Sequence, residues 1–152
     1  MSVKVKEVTV VNESIYAARF VGCLVLTHDN KILLQQRGHD WVSYPEYLCE
    51  FGGHIEPDEK PPQAVIRELH EELGAQAEEK DIISLGAITE AMSNYSELIY
   101  CYFWHDKQDT ITGCYEGEPK YFNYLDNILS YPKITDGLRW MSDECKKRKL
   151  LK

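Results

Sequence analysis

The chain has 152 residues and a formal net charge of −8 at pH 7, a length that suits one domain around one core. The acidic balance argues against binding a nucleic acid polymer, whose phosphates would repel it, and makes any anionic nucleotide ligand depend on bridging cations. No apolar run approaches a membrane span, the first residues lack an apolar leader core, and the cysteines are odd in number without a C-x-x-C pair; the expectation is a soluble, cytoplasmic protein with reduced buried thiols and no membrane partner.

Val3 to Val11 alternates apolar and polar residues, which predicts a half-exposed strand. Arg19 to Thr27 reads as a buried strand, and Lys31 to Gln36 returns across the His28-Asp29-Asn30 turn as the second arm of a hairpin. A polar and aromatic loop, Gly38 to Glu46, leads to a short strand from Tyr47 to Phe51, ended by Gly52-Gly53. Pro61-Pro62 opens a helix whose spacing runs through Val65, Leu69 and Leu73 to a stop at Gly74. Asp81 to Ala91 and Glu97 to Asp106 are predicted strands. The second is apolar nearly throughout and so belongs at a sheet centre or under cover on both faces. Tyr124 to Ser130 is a short helix. Asp136 to Leu150 is a longer one, and its final Lys146, Lys147, Arg148 and Lys149 read as a solvated helix end. The order strand-rich, helix, strand-rich, helix predicts one domain over residues 1–152, with helices on a mixed sheet, α/β or α+β.

The helix carries the chemistry. At about 100° per residue, Glu68, Glu71 and Glu72 fall together beside the stripe of Pro62, Val65, Leu69 and Leu73. Glu72 lies nearest the apolar edge and is expected to be the least solvated. Like charges three and four residues apart cost a helix about a few tenths of a kcal/mol each. A hard divalent cation removes that repulsion, because Mg²⁺ and Mn²⁺ prefer oxygen ligands. Arg67 offsets some of the charge by reaching toward Glu59. An ordinary acidic surface helix has the same composition, so the helix alone leaves both readings open.

The wider segment resolves the choice. Gly53, Glu59, Arg67, Glu68, Leu69, Glu71, Glu72 and Gly74 stand in the spacing of the Nudix box, and Gly53–Ala75 resembles that motif, with Ala75 where a larger aliphatic residue is usual. Leu33 to Arg37 and Phe51 to Glu56 resemble the family's flanking strand and loop entry. The resemblance implies an α/β fold, a Nudix-type α/β/α sandwich with a mixed sheet and a loop-helix-loop catalytic motif. It also implies hydrolysis of a phosphoanhydride bond in a nucleoside diphosphate-linked substrate with Mg²⁺ or Mn²⁺ as cofactor. A nucleoside triphosphate pyrophosphohydrolase is the first expectation. An ADP-ribose or nucleotide-sugar hydrolase is the second, and a noncatalytic nucleotide sensor is the alternative outside enzymes.

By position, the resemblance assigns Glu68, Glu71 and Glu72, with the Gly52 carbonyl, to the metal. Arg67 joins the catalytic set, holding loop and helix together with Glu59. Glu68, Glu71 or a later-loop residue, Glu118, serves as base. Arg37 is expected on phosphate, and Trp41, Tyr44 or Tyr47 against a base, each with a structural role as the alternative. His54 and His70 are expected not to be ligands. The partner is a small nucleotide, and a homodimer is compatible with the family's habits.

Overall fold

Residues 4–151 are described by a computed structural model of the protein. Two strands form the sheet's axis. β2 (Ala18–Leu26) and β7 (Glu97–His105) run parallel, paired from Ala18–Glu97 to Leu26–His105. Val21 to Leu26 is buried without a break, and a strand covered on both faces needs a layer on each side. β6 (Ile82–Glu90) lies antiparallel to β7 on its far edge, and β1 (Val5–Val8) lies outside β6.

The other edge of β2 is shared. β3 (Ile32–Gln36) pairs with its end through Val25–Leu33 and Leu26–Ile32, the expected hairpin. β5 (Phe51–His54) pairs with its beginning, from Phe20–His54 to Cys23–Phe51. β8 (Glu118–Phe122) continues the sheet beyond β3, and β4 (Leu48–Cys49) pairs with the end of β3 on the edge that also meets β2. A cleft opens where β3 and β5 part along the edge of β2.

Side chains of β2 alternate between two cores. Val21, Cys23 and Val25 meet Ala64, Val65, Leu69 and Leu73 of α1 (Pro61–Leu73). On the opposite face, Leu24 and Leu26 join Leu125 and Ile128 of α2 (Leu125–Leu129) and Leu138, Met141 and Cys145 of α3 (Asp136–Lys147). The result is the α/β/α sandwich with a mixed sheet. α1 begins where the Lys60 N–H donates to Gln63 Oε1 at 3.0 Å and ends at Gly74, whose φ is 66°.

Three expectations are corrected. β1 covers only Val5–Val8; Val10 and Val11 are exposed outside it, and Val3 lies outside the described residues. Gly52 and Gly53 do not end a strand but lie within β5, because Gly22 and Val21 of β2 supply their ladder partners. Glu118, expected in a loop, instead opens β8. β8 is an edge strand with exposed Glu118 and Pro119, so it shows no buried alternation to read. Of the five free thiols, Cys23, Cys49, Cys101 and Cys145 are buried and Cys114 only partly so. No helix among the described residues is long and apolar enough to cross a membrane.

Candidate active site

The packing of α1 against β5 sets the site. Glu68 and Glu72, four residues apart on α1, are 9% and 2% exposed. Glu72 Oε2 accepts a hydrogen bond from the Gly52 N–H at 3.0 Å. That approach requires glycine: a Cβ on Gly52 would stand 1.9 Å from the Val21 carbonyl oxygen. A Cβ on Gly53 would come within 2.5 Å of Glu68 Oε1. Gly53 thus leaves the space into which Glu68 reaches, and Gly52 lets the backbone that bonds Glu72 lie close against β2.

Glu116, from the segment after β7, closes the site from another side with a hydrogen-bonding contact to Glu72. Burial first, then the neighbouring Glu116 and Glu68, pushes the Glu72 carboxyl up to about 10. Burial also raises Glu68, against the opposing pull of Arg67.

Arg67 organises a second network beside the first. Its Nε and Nη2 donate to the two oxygens of Glu59 at 2.7 and 2.8 Å, and Nη2 also donates to the His54 carbonyl at 2.9 Å. Nη1 reaches Glu68 Oε1 at 2.9 Å and Glu71 Oε2 at 3.4 Å. The Glu56 N–H donates to Glu59 Oε1 at 3.1 Å, so this carboxylate ties the loop to the helix. The guanidinium holds Glu59 down to about 2. Glu71 is more than half exposed and turned to Arg67. Of the three helix glutamates, Glu68 and Glu72 are therefore buried against β5 and Glu71 is not.

Among the described residues, no three acidic, histidine or cysteine side chains already converge as a ligand shell. Arg67 engages Glu68 and Glu71, and the Gly52 N–H engages Glu72. The residues nevertheless suit a hard cation. Glu68 and Glu72 offer carboxylate oxygens beside a gap that a single Cβ would fill, and the nearby charge of Glu116 raises the pKa of both. Exposed His54 stacks on Phe20 at 4.1 Å, and exposed His70 turns its Nδ1 to the Ala75 carbonyl.

From Gly52, Gly53 and Glu116 a cavity of about 390 Å³ follows the parting of β3 and β5, past Gln35 and Arg37 to Tyr44, Glu50 and Glu90. Its size is within the range of small-ligand sites. Arg37 stacks over the Trp41 ring at 4.4 Å and donates its Nε to the Ser43 carbonyl at 2.8 Å. Tyr47 packs edge-on to Tyr44 at 6.0 Å. Arg37 and Tyr44 are walls of the cavity, whereas Trp41 and Tyr47 are not. Glu118 stands exposed on β8 opposite Gln36; its neighbour Glu116 is the residue of that segment that reaches Glu72.

Glu116, Glu50 and Glu90 are additions to the sequence reading. Burial raises Glu50 to about 7, and its Oε2 is buried with no partner among the described residues. Burial, with Glu50 nearby, raises Glu90 to about 8, and its Oε2 accepts from the Gly137 N–H at 2.8 Å. Glu50 carries a usable signal, a charge between apolar Cys49 and Phe51. Glu116 carries only the glycine that follows it.

A model of the NUDIX domain family matches residues 17–142. The CTP pyrophosphohydrolase of Escherichia coli (strain K12) is 37% identical over 82 residues, which are 53% of this chain and 56% of that protein, so the match spans about half of each. Among solved structures, the MutT protein from Methanosarcina mazei Go1 matches with a TM-score of 0.69 and 18% identity, covering 87% of this chain and 94% of its own. The NUDIX domain of Shewanella oneidensis NrtR, solved with ADP ribose, matches with a TM-score of 0.66 and 20% identity, covering 91% and 94%. At these identities the two structures show a common fold.

Proposed function

The chain belongs to the NUDIX domain family, and from that premise we propose that it is a divalent-metal-dependent pyrophosphohydrolase that converts a nucleoside triphosphate and water into a nucleoside monophosphate and pyrophosphate. The observation that carries this reading is the packing of Glu72 and Glu68 against Gly52-Gly53, with Glu116 approaching Glu72 from a separate segment.

Mg²⁺ or Mn²⁺ held by these carboxylates, with the Gly52 carbonyl as a further oxygen donor, would neutralise the diphosphate and make bound water more acidic. Arg67 and Glu59 fix α1 and the loop before it, so the carboxylates stay aligned. Glu116 is assigned as the base, because it approaches from a separate segment and can accept the proton of the attacking water. The water oxygen bonds to phosphorus while the bridging oxygen leaves on pyrophosphate. Arg37 lines the adjoining cavity and suits phosphate oxygens.

Glu50 supports a choice of base. Glu50 is a wall of the far part of the cavity, and its unpartnered Oε2, buried behind that wall, would accept from an exocyclic amino group once the carboxyl turns toward it. A base without that donor leaves a buried acceptor unpaired, which discriminates strongly. Cytosine carries such a group, and the partial match to a CTP pyrophosphohydrolase points the same way. Adenine carries one too, so ADP-ribose hydrolysis to AMP and ribose 5-phosphate is the second reading, favoured by the same residue.

The test is incubation with the common nucleoside triphosphates and ADP-ribose in Mg²⁺ or Mn²⁺, with products identified by mass. CMP and pyrophosphate from CTP are expected. Preferential turnover of ADP-ribose would establish the second reading, and binding of nucleotides without any turnover would remove both.

A further inference from the structure

We propose that Gln35 is a positioning residue that holds the Glu116 backbone so that the Glu116 carboxyl meets Glu72. The proposal rests on the assignment of Glu116 made above.

Gln35 is 3% exposed, in a run of β3 otherwise made of buried Ile32, Leu33 and Leu34. A buried primary amide is costly unless both of its ends are bonded. Its Nε2 donates to the Glu116 carbonyl at 2.7 Å, and its Oε1 accepts from Cys49 Sγ at 3.4 Å. An apolar side chain would fill the space without either bond. The amide's strongest bond goes to the segment that carries Glu116.

That segment is clamped on both sides of Glu116. Before it, the Thr112 N–H donates to the Leu73 carbonyl at 2.9 Å and the Tyr115 N–H to the Glu72 carbonyl at 2.7 Å, tying the chain to the end of α1. After it, Gly117 takes a φ of +68°, and a Cβ there would lie 2.7 Å from Gln35 Cγ and 2.8 Å from the Gln36 carbonyl oxygen. The chain crosses Gln35 at a point open only to glycine. Pro119, opposite Gln35 in the β3–β8 register, brings no N–H to the ladder, so the side chain of Gln35 supplies the polar tie there. With Tyr115 fixed on α1 and its own carbonyl fixed on β3, Glu116 has little freedom in where its carboxyl points. Alignment of that order is what a proton-accepting group needs.

The test uses Gln35→Met, which keeps length and removes the donor, alone and combined with Glu116→Gln. In the otherwise unaltered protein, Gln35→Met is expected to lower kcat about tenfold and leave KM within about twofold, the mark of lost alignment rather than lost binding. In the Glu116→Gln background it is expected to have no further effect, since the two act through one group. In the metal-free protein, amides 113–117 are expected to exchange faster in Gln35→Met, with α1 unchanged. Gly117→Ala should reproduce both effects from the other side of the contact. An equal loss of kcat in both backgrounds, or unaltered exchange at 113–117, would overturn the proposal. If Glu116→Gln leaves kcat intact, the base assignment fails by itself, while the exchange experiment still decides whether Gln35 anchors the segment.

Discussion

Arg67 and Glu59 meet in a two-point contact, Nε to Oε2 at 2.7 Å and Nη2 to Oε1 at 2.8 Å, across the junction of the α1 helix with the loop that precedes it. The planar fork of arginine matches the carboxylate, which lysine cannot do. Glu59→Gln is expected to cost about 1.5–3 kcal/mol of stability, the range for hydrogen bonds to a charged partner. The contribution has a pH signature. The folded-state value of Glu59 is held below its usual one, near 2, so the stabilisation is present above about pH 4.5 and is lost as pH falls toward 2. Chemical denaturation of both proteins across that window checks it, and parallel curves would contradict it.

Glu90 has the opposite sign. Burial raises its folded-state value to about 8, so the folded chain binds more protons than the unfolded one between about pH 4.5 and 8. Stability should therefore fall as pH rises through that window. Glu90→Gln keeps an acceptor for the Gly137 N–H and should flatten the slope. Thermal unfolding at pH 5.5 and 8 reads the difference directly.

Glu72 is expected to show a conflict between stability and use. It is nearly inaccessible and crowded by Glu68 and Glu116, so the metal-free protein bears a cost for keeping a carboxyl there. Glu72→Gln should raise the melting temperature of the metal-free protein while lowering turnover by about 100-fold or more. A lower melting temperature would mean that the carboxyl itself contributes net stability, since glutamine keeps an acceptor for the Gly52 N–H.

Arg37 lies on Trp41 and along the cavity wall. Arg37→Lys keeps the charge and loses both the stacking plane and the fork. It should raise KM for the nucleotide by roughly tenfold with little change in kcat, as expected for lost uniform binding. Steady-state kinetics separate the two, and a fall in kcat at constant KM would place Arg37 in the chemical step instead.

What the sequence made legible is local. The α1 helix announces itself through Pro61-Pro62, the Val65-Leu69-Leu73 stripe and Gly74, all of which act within a turn or two of chain. The same periodicity ranks Glu72 as the least solvated of its three glutamates, and the structure agrees. The Arg67–Glu59 contact joins the helix to the loop just before it and is likewise near in sequence. Gly52 and Gly53 read as strand breakers because their partners, Gly22 and Val21, lie far away along the chain. β8 was unreadable for a related reason: an edge strand containing Pro119 has no buried face to impose alternation. Choosing Glu116 over Glu118 depends on the turn at Gly117 and on the amide of Gln35. Both are set by tertiary contact.

The most direct test of the central claim, that carboxylates from α1 and from the segment after β7 together hold a divalent cation, is calorimetric titration of Mn²⁺ into the protein saturated with a nonhydrolysable CTP analogue. Stoichiometric uptake is predicted for the unaltered chain, weakened at least about tenfold in Glu72→Gln and in Glu116→Gln. Uptake of equal strength in all three proteins would contradict it.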